Sequence, residues 1–465
     1  VMLDPARVME KKDYYRRMLP WLKHWGYNIL HLHITDDQGA ALAFPSHPEL
    51  AKEGAFSAEE MKTFVEQAEE NGLEVIPELE CLGHTRFITG KPQFAHLGGE
   101  NPGVFNALDP EAEETADLLF DLLQDIAGIF SSGTIHLGLD EVDLGCLPRY
   151  RETPPEEYWK IFARHAASVH DMVRQLDRRP AMWGDHILSA PDMIHRFGRD
   201  LLVFDWHYDR FLSPASVDFF CEHGLETWCA PATSSGLFTR GLPNAGNLEN
   251  VRQFTELADE NRRRGVNGLV NTVWCPWRYL PGAADWPVAR AAHSFSRGGE
   301  GGDKVHAASF AEDFYGIPAR QAPRAGDALR TLHRLAPERS LFNRIVAART
   351  ENETTLSALE KAQCRHVFDD IDTARNVLQE TRASATRNED RFDDVILTSH
   401  LVRELACLPV DDRRPPAAQR QNLLENARQA WLRERSERWD SPTVAEQEGN
   451  VISILEILAA DVQKI

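Results

Sequence analysis

Residues 133–145 read GTIHLGLDEVDLG, an apolar run that ends in two adjacent carboxylates, Asp140 and Glu141. The run is typical of a buried strand, and Gly138 lies where a strand can bend or end. Successive residues of a strand face opposite sides, so both carboxylates can reach one pocket only where the strand is ending. The pattern therefore predicts a strand whose carboxyl end carries a pair of acids.

The same kind of apolar run recurs along the first part of the chain and alternates with amphipathic helical stretches. We expect eight strands, at the opening residues and at 28–34, 73–79, 133–138, 180–184, 201–206, 226–230 and 267–274. A first helix is expected after the opening strand, where Tyr14, Met18, Leu19, Leu22 and Trp25 recur at helical spacing. Seven further helices are expected at 58–72, 111–130, 155–176, 189–197, 214–223, 250–265 and 285–296. Strands that alternate with helices indicate the α/β class, and eight such pairs predict a (β/α)8 TIM barrel whose strand ends carry the functional residues.

From about residue 305 the β-branched runs give way to helical periodicity. Helices are expected at 319–336, 352–383, 389–407, 416–438 and 443–463. The sequence therefore predicts a barrel domain over 1–304 and a C-terminal all-helical domain over 305–465. A role in packing or in a possible homodimer is favoured for the helical domain over a role in binding substrate.

Composition excludes several classes of partner. The chain has 51 basic and 72 acidic residues and a net charge of −21, so it lacks the basic surface that a nucleic-acid partner requires. It shows neither an apolar run long enough to cross a membrane nor a charged-then-apolar leader. Seven scattered cysteines without a C-x-x-C pair predict reduced thiols in a cytoplasmic protein.

Two segments upstream of the acidic pair carry related patterns. Residues 28–40 read NILHLHITDDQGA, and residues 73–84 read LEVIPELECLGH, so each apolar run ends in polar residues. Together with residues 133–145 they resemble, in order and in spacing, three motifs of glycoside hydrolase family 20, the retaining β-N-acetylhexosaminidases. Three motifs in one order are a more specific signal than a single acidic pair.

This resemblance implies an exo-acting enzyme that removes terminal β-linked N-acetylglucosamine or N-acetylgalactosamine from a glycan or glycoconjugate, with no metal and no cofactor. In the family the substrate's own acetamide oxygen is the nucleophile and an oxazolinium is the intermediate. Asp140 would then polarise the acetamide N–H, and Glu141 would donate the proton to the leaving oxygen. We expect the neighbouring carboxylate and aromatic walls to raise the pKa of Glu141.

Asp36 and His84 complete the catalytic set that the resemblance implies, because the family pairs such an Asp and His close to the acid. The charged form of a carboxylate-bound His is favoured, which would tune the acid. Three further histidines lie inside apolar runs, and we interpret them as satisfied core residues rather than metal ligands: His31, His33 and His136.

Tryptophans at or near the ends of the later predicted strands are candidates for substrate binding. Indole faces cover the C–H faces of sugars, and a cage of them excludes water from the intermediate. The candidates are Trp183, Trp206, Trp228 and Trp274, with Asp185 and Asp205 as nearby partners for sugar hydroxyls.

The sequence also departs from the family pattern. The Glu usual two residues after the strand-eight Trp and the Tyr-x-Asp or Tyr-x-Asn usual after strand seven are missing, and the Arg usual just before strand one is absent or lies upstream of Val1. Leu139 replaces a small residue. We expect Arg278, Trp277 or Tyr279 to take over part of the hydroxyl recognition.

Two alternatives remain open on the sequence. In the first, the chain is another retaining barrel glycosidase, with Glu78 or Glu80 as a protein nucleophile opposite Glu141. In the second, it is a catalytically silent carbohydrate-binding barrel, because residues that bind sugar hydroxyls in the family are missing.

Overall fold

The structure is a computed structural model that describes residues 1–98, 107–234, 245–297, 302–335, 357–407, 415–447 and 449–460. The chain divides into two compact units. The first comprises the described residues of 1–207, 212–231 and 254–272, and the second those of 208–211, 232–253 and 273–465. The predicted domain boundary between residues 304 and 305 stays a prediction.

The first unit contains eight parallel strands that pair in chain order. The backbone N–H of Met2 donates to the carbonyl of Asn271, just after the last strand, at 2.8 Å, which joins the first strand to the end of the eighth. This confirms the predicted barrel. The strands are β1 (Met2–Leu3), β2 (Ile29–His33), β3 (Glu74–Glu78), β4 (Thr134–His136), β5 (Arg179–Trp183), β6 (Leu202–Trp206), β7 (Glu226–Ala230) and β8 (Val266–Leu269).

The helices of the described residues follow in chain order. They are α1 (Lys12–Trp25), α2 (Ala58–Glu70), α3 (Arg86–Thr89), α4 (Glu113–Ile129), α5 (Pro155–Gln175), α6 (Asp185–Ser189), α7 (Ala215–Glu222), α8 (Ala245–Asn261), α9 (Asp285–Ser296), α10 (Asp303–Tyr315), α11 (Ala322–Leu335), α12 (Ala358–Arg382), α13 (Glu389–Cys407), α14 (Ala417–Glu434), α15 (Pro442–Ala445) and α16 (Val451–Ala459). The predicted C-terminal helical region is therefore confirmed in its described part. Among the described residues, no helix is long and apolar enough to cross a membrane.

Some element boundaries differ from the prediction. The helix expected at 189–197 is a short α6 followed by a 3-10 helix, Pro191–Arg196. Proline lacks the N–H that an α-helix would need at this point, so the helix ends before it. The strand expected at 267–274 ends at Leu269, and a separate two-residue strand follows at Thr272–Val273. Residues 336, 352–356, 448 and 461–463 of the predicted helices lie outside the described residues.

A layer of rings fills the barrel interior. The imidazole of His136 lies 4.9 Å from that of His31, 4.7 Å from the indole of Trp183 and 4.6 Å from the ring of Phe204, measured between centroids. His31, His136 and Phe204 are fully buried, and Trp183 is 1% exposed. The interior is therefore a packed core, and the residues above it, at the carboxyl ends of the strands, are the ones that can meet a ligand.

The second unit is held by buried charges as well as by apolar contacts. Arg391 on α13 forms a bidentate ion pair with Asp285 on α9, in which Nε lies 2.6 Å from Oδ2. Both side chains are 2% exposed. Arg435 donates to the carbonyl of Tyr279 at 2.7 Å and lies 3.9 Å from the ring centre of Trp431. These contacts tie the C-terminal helices to the segment that follows residue 273 within this unit.

Candidate active site

The loop after β4 carries the acidic pair in an unusual backbone conformation. Gly138, Leu139 and Glu141 all have positive φ, at 61°, 69° and 46°. A Cβ at Gly138 would lie 2.0 Å from Oε2 of Glu80, so only glycine fits this position. Left-handed residues other than glycine persist only where their surroundings fix them, and such residues cluster at functional sites.

The loop after β3 brings His84 to the acids. Nε2 of His84 lies 3.4 Å from Oε2 of Glu141 and 3.8 Å from Oδ2 of Asp140, and Nδ1 lies 3.7 Å from Oδ2 of Asp36. Gly83 permits this approach, because a Cβ there would lie 2.6 Å from the carbonyl oxygen of Asp140. The structure therefore brings the four predicted catalytic residues together around one imidazole.

Further charged side chains, which were not predicted from the sequence, lie beside the four predicted catalytic residues. Arg7 binds Asp36, with Nη2–Oδ2 at 2.9 Å, and Asp4, with Nη1–Oδ2 at 3.2 Å. Asp4 in turn contacts Nδ1 of His33 at 2.8 Å. Arg7 follows β1 at the same edge of the barrel as the acids, and that position could have identified it from the sequence.

These surroundings set the protonation of the site. Burial would lower the pKa of His84, but the charges of Asp36 and Asp140 raise it well above its usual value. Burial, together with the charge of Glu80, raises the pKa of Asp140 well above that of an ordinary aspartate. These surroundings therefore favour the charged form of His84 and the protonated form of Asp140.

Glu141 behaves differently from the prediction. Burial acts to raise its pKa, but its contact with His84 and the charges of His84 and Arg7 outweigh burial, so its pKa is lowered. The predicted increase in the pKa of Glu141 is therefore wrong. The reason is that the positive charges of His84 and Arg7 outweigh the effect of burial on Glu141, whose side chain is 44% exposed.

Asp185 and His186, which follow β5, contact the backbone of the acidic loop. Oδ2 of Asp185 accepts the N–H of Glu141 at 3.0 Å, and Nε2 of His186 accepts the N–H of Val142 at 2.7 Å. One oxygen of the Asp185 carboxylate thus has a backbone partner, and the predicted contact of Asp185 with a sugar hydroxyl stays a prediction. His186 was missed, although it is the direct neighbour of a predicted residue.

The tryptophans of the first unit do not share one environment. Trp183 is buried, and its Nε1 donates to Oε1 of Glu78 at 2.6 Å inside the barrel. Trp228 stacks on Phe204 at 5.2 Å, and its Nε1 donates to Oε1 of Glu226 at 3.2 Å. Because Glu226 is the first residue of β7, Trp228 points towards the amino end of its strand, which corrects its predicted place in the cage.

The remaining residues of the first unit that were predicted to bind substrate are Trp206 and Asp205. Trp206 is the last residue of β6 and is partly exposed, so it lies at the edge of the barrel that carries the acids. Asp205 is fully buried and accepts a hydrogen bond from Ser216 at 2.7 Å, so its carboxylate already has a protein partner. The role of Trp206 stays a prediction.

Trp274 and Arg278 belong to the second unit. Trp274 is 7% exposed, and its Nε1 donates to the hydroxyl of Tyr208 at 2.6 Å. Arg278 is the last residue of the 3-10 helix Pro276–Arg278 and is also 7% exposed. Their substrate roles stay predictions.

The two glutamates proposed as alternative nucleophiles are buried. Glu78 is fully buried and contacts His31 at 3.0 Å and His136 at 3.1 Å, and Glu80 is 1% exposed. Burial raises the pKa of Glu80 to about 7. A nucleophile must reach the anomeric carbon of a bound sugar, so this burial disfavours the first alternative.

Several of these groups are close enough to hold a metal ion. One comprises His31, Glu78 and His136, and another His84, Asp140 and Glu141. The short contacts between Glu78 and the two imidazoles fit the interpretation of His31 and His136 as core histidines, since each has a buried polar partner. The absence of a catalytic metal stays a prediction.

Comparison with known proteins gives a consistent family. Residues 1–232, the first half of the chain, match the model described as Glycosyl hydrolase family 20, catalytic domain. A beta-hexosaminidase of Vibrio furnissii is 29% identical over 322 residues, which are 59% of this chain and 52% of that protein. Beta-hexosaminidase subunit alpha of Mus musculus is 30% identical over 231 residues, 44% of this chain and 43% of that protein. The chain thus spans about half the length of these curated relatives.

Solved structures share the fold. A beta-N-acetylhexosaminidase from Bacteroides fragilis superposes with a TM-score of 0.56 at 18% identity, over 67% of this chain and 68% of that chain. A GH20 exo beta-N-acetylglucosaminidase from Vibrio harveyi, in complex with N-acetylglucosamine, gives a TM-score of 0.52 at 21% identity, over 63% and 53% of the two chains. With the matched catalytic-domain model and the three motifs, the chain belongs to glycosyl hydrolase family 20.

Proposed function

We propose that this protein is a retaining exo-β-N-acetylhexosaminidase that hydrolyses terminal β-linked N-acetylglucosamine or N-acetylgalactosamine. The observation that carries the proposal is the placement of Asp140 and Glu141 around His84, at 3.8 and 3.4 Å, beyond the carboxyl end of β4. The names of the relatives, beta-hexosaminidases in each case quoted, support the same activity.

The chemistry follows from these positions. The acetamide carbonyl oxygen attacks the anomeric carbon while the bond to the leaving oxygen breaks, and Glu141 transfers its proton to that oxygen. Asp140, as a carboxylate, accepts the acetamide N–H and stabilises the positive charge of the oxazolinium ring. Glu141, now ionised, then takes a proton from water as the water oxygen attacks the anomeric carbon and reopens the ring.

The proposed reaction requires a proton on Glu141, whereas burial and the charge of Glu80 favour a proton on Asp140. A bound acetamide N–H that donates to Asp140 favours the ionised form of that residue, and exclusion of water by the sugar favours neutral Glu141. Substrate binding therefore reverses the distribution of one proton within the pair. The charge of His84 stays close to both carboxylates in either arrangement.

Two variants test the proposal on an aryl N-acetyl-β-glucosaminide. Glu141→Gln and Asp140→Ala should each lower kcat by at least about 100-fold, since each removes a group that acts on the reacting atoms. Glu114→Gln is the control, because Glu114 is exposed and pairs with His96. Equal cleavage of the matching aryl β-glucoside by the wild-type protein would contradict substrate assistance.

The two alternatives have their own signatures. A protein nucleophile would be labelled covalently by a fluorosugar, and a silent barrel would bind the sugar in calorimetry without turnover. A panel of aryl glycosides would then identify the preferred sugar. The homodimer and the cytoplasmic location stay predictions alongside this proposal.

A further inference from the structure

We propose that Asp185 and His186 are positioning residues that fix Glu141 in its productive place. The inference rests on the proposed function and adds two residues that do not touch the reacting atoms. Both lie at the start of α6, one residue after the end of β5, and each accepts one of two consecutive backbone N–H groups, those of Glu141 and Val142.

Contacts from two elements hold the peptide that follows the acid. On one side Nε2 of His186 accepts the N–H of Val142 at 2.7 Å. On the other side the hydroxyl of Tyr158, on α5, donates to the carbonyl of Val142 and lies 3.5 Å from the N–H of Leu144. Donor and acceptor of Val142 are thus both bound, which fixes the orientation of this part of the loop.

The backbone of Glu141 gives these contacts a purpose. Its φ of 46° lies in the left-handed region, which a glutamate rarely adopts without support. The hydrogen bond from its own N–H to Asp185, at 3.0 Å, acts on the same residue. Loss of these bonds would let the backbone return to a commoner conformation, and the carboxyl of Glu141 would move away from His84 and the leaving oxygen.

His186 can accept the N–H of Val142 because neighbouring side chains fix its ring and its neutral form is favoured. The imidazole packs 4.7 Å from Phe162 and 5.4 Å from Trp159, between centroids, and the residue is 7% exposed. Burial lowers its pKa, and only an unprotonated ring nitrogen can accept a hydrogen bond. The contact with Val142 therefore assigns the proton of His186 to Nδ1.

His186→Phe is the first test, because it keeps an aromatic ring against Phe162 and removes the acceptor. We expect kcat on the aryl N-acetyl-β-glucosaminide to fall by about 10- to 100-fold, the scale of an acid displaced by about 1 Å. KM should stay within about threefold, since ground-state binding is not the contact removed. His186→Gln, whose amide oxygen can accept the same N–H, should restore part of kcat.

His170→Phe is the matched control. His170 is a fully buried histidine of α5 that packs 5.1 Å from Phe197, and it makes none of the contacts with the acidic loop described above. This variant should keep wild-type kcat. If replacing any buried imidazole lowered activity, kcat would fall by the same factor in His186→Phe and His170→Phe. That result would overturn the inference.

Asp185 provides a test that does not depend on the folding of His186→Phe. Asp185→Asn keeps an oxygen for the N–H of Glu141 and should retain most of kcat, whereas Asp185→Ala should lose it. Because the charge of Asp185 contributes to raising the pKa of Asp140, Asp185→Asn should also move the basic limb of the pH profile to lower pH. A merely structural role would not move that limb.

The possible failures are distinguishable. If the wild-type protein cleaves the substrate and both His186→Phe and Asp185→Ala keep its kcat, the positioning role is overturned. The proposed function is then left intact. A wild-type protein that does not cleave N-acetyl-β-hexosaminides would overturn the proposed function, and the positioning role with it.

Discussion

At the scale of single residues, Gly138 decides whether the acidic loop can form. Its φ is 61°, and the space beside its Cα is occupied by the carboxyl of Glu80. We expect Gly138→Ala to lower the free energy of unfolding by at least about 1 kcal/mol, from the left-handed conformation alone, and to reduce activity. Denaturant unfolding and turnover of the aryl substrate measure both effects.

Gly128→Ala is the control for that substitution. Gly128 lies on α4, no atom lies within 4 Å of an added Cβ, and an alanine in a helix is favoured over glycine by about 1 kcal/mol. This variant should be as stable as wild type or more stable. Equal stability of Gly138→Ala and wild type would show that the loop does not need the observed backbone.

The pH dependence of kcat/KM reports the acidic pair. Catalysis needs one proton on the pair, so activity should fall at low pH, as the pair takes up a second proton, and at high pH, as it loses the first. His84 and Arg7 lower the pKa of Glu141, which places the acidic limb below the usual range of a glutamate. His84→Gln removes that cation, so the acidic limb should move to higher pH.

His96→Gln is the matched variant for the pH profile, because His96 is exposed and pairs only with an exposed carboxylate, Glu114, in the contacts described here. Its acidic limb should coincide with that of wild type. An acidic limb that stays in place in His84→Gln would mean that His84 does not set the protonation of Glu141.

Single residues were predictable where a motif fixed their position and not where their surroundings did. Asp36, His84 and the acidic pair follow their strands in the chain, so their convergence at one edge could be predicted from the barrel. The lowered pKa of Glu141 could not, because it depends on how the charges of His84 and Arg7 balance burial, which only the fold determines.

At the scale of elements, the C-terminal helices of the second unit depend on a buried ion pair. Arg391 on α13 binds Asp285 on α9, and both are 2% exposed. We expect Arg391→Met to destabilise this unit by about 3–5 kcal/mol, because it leaves the carboxylate of Asp285 buried without its cation. The thermal unfolding of the full chain measures the loss.

Arg382→Met is the comparison, since Arg382 on α12 pairs with carboxylates at the surface, Asp393 and Glu389. Removal of such an exposed pair should cost about 0–1 kcal/mol. Similar losses in the two variants would show that burial of the Arg391 pair adds nothing to its effect.

The elements themselves were largely legible in the sequence. Strands of a parallel barrel are buried on both faces, so they read as continuous apolar runs, and β2, β3, β5, β6 and β7 lie within one or two residues of their predicted bounds. The direction of a side chain within a strand was not legible. Trp228 was assigned to the strand end, whereas its indole points towards Glu226 at the start of β7.

At the scale of the whole molecule, the alternation of strands and helices predicted the barrel, and the loss of β-branched runs predicted the helical region. Two features lay beyond the sequence. One is the barrel interior filled by aromatic rings, in which the carboxylate of Glu78 contacts Trp183, His31 and His136. The other is the set of ion pairs around Arg7 and His84, which joins side chains from loops far apart in the chain.

In the proposed mechanism the substrate's acetamide, held by Asp140, is the nucleophile. The most direct measurement is kcat/KM for aryl β-glucosaminides whose N-acyl group is acetyl, fluoroacetyl, difluoroacetyl or trifluoroacetyl. Each fluorine makes the carbonyl oxygen a weaker nucleophile, so we expect kcat/KM to fall at every step. A series with constant kcat/KM would contradict this mechanism, because the rate would then not depend on the acetamide oxygen.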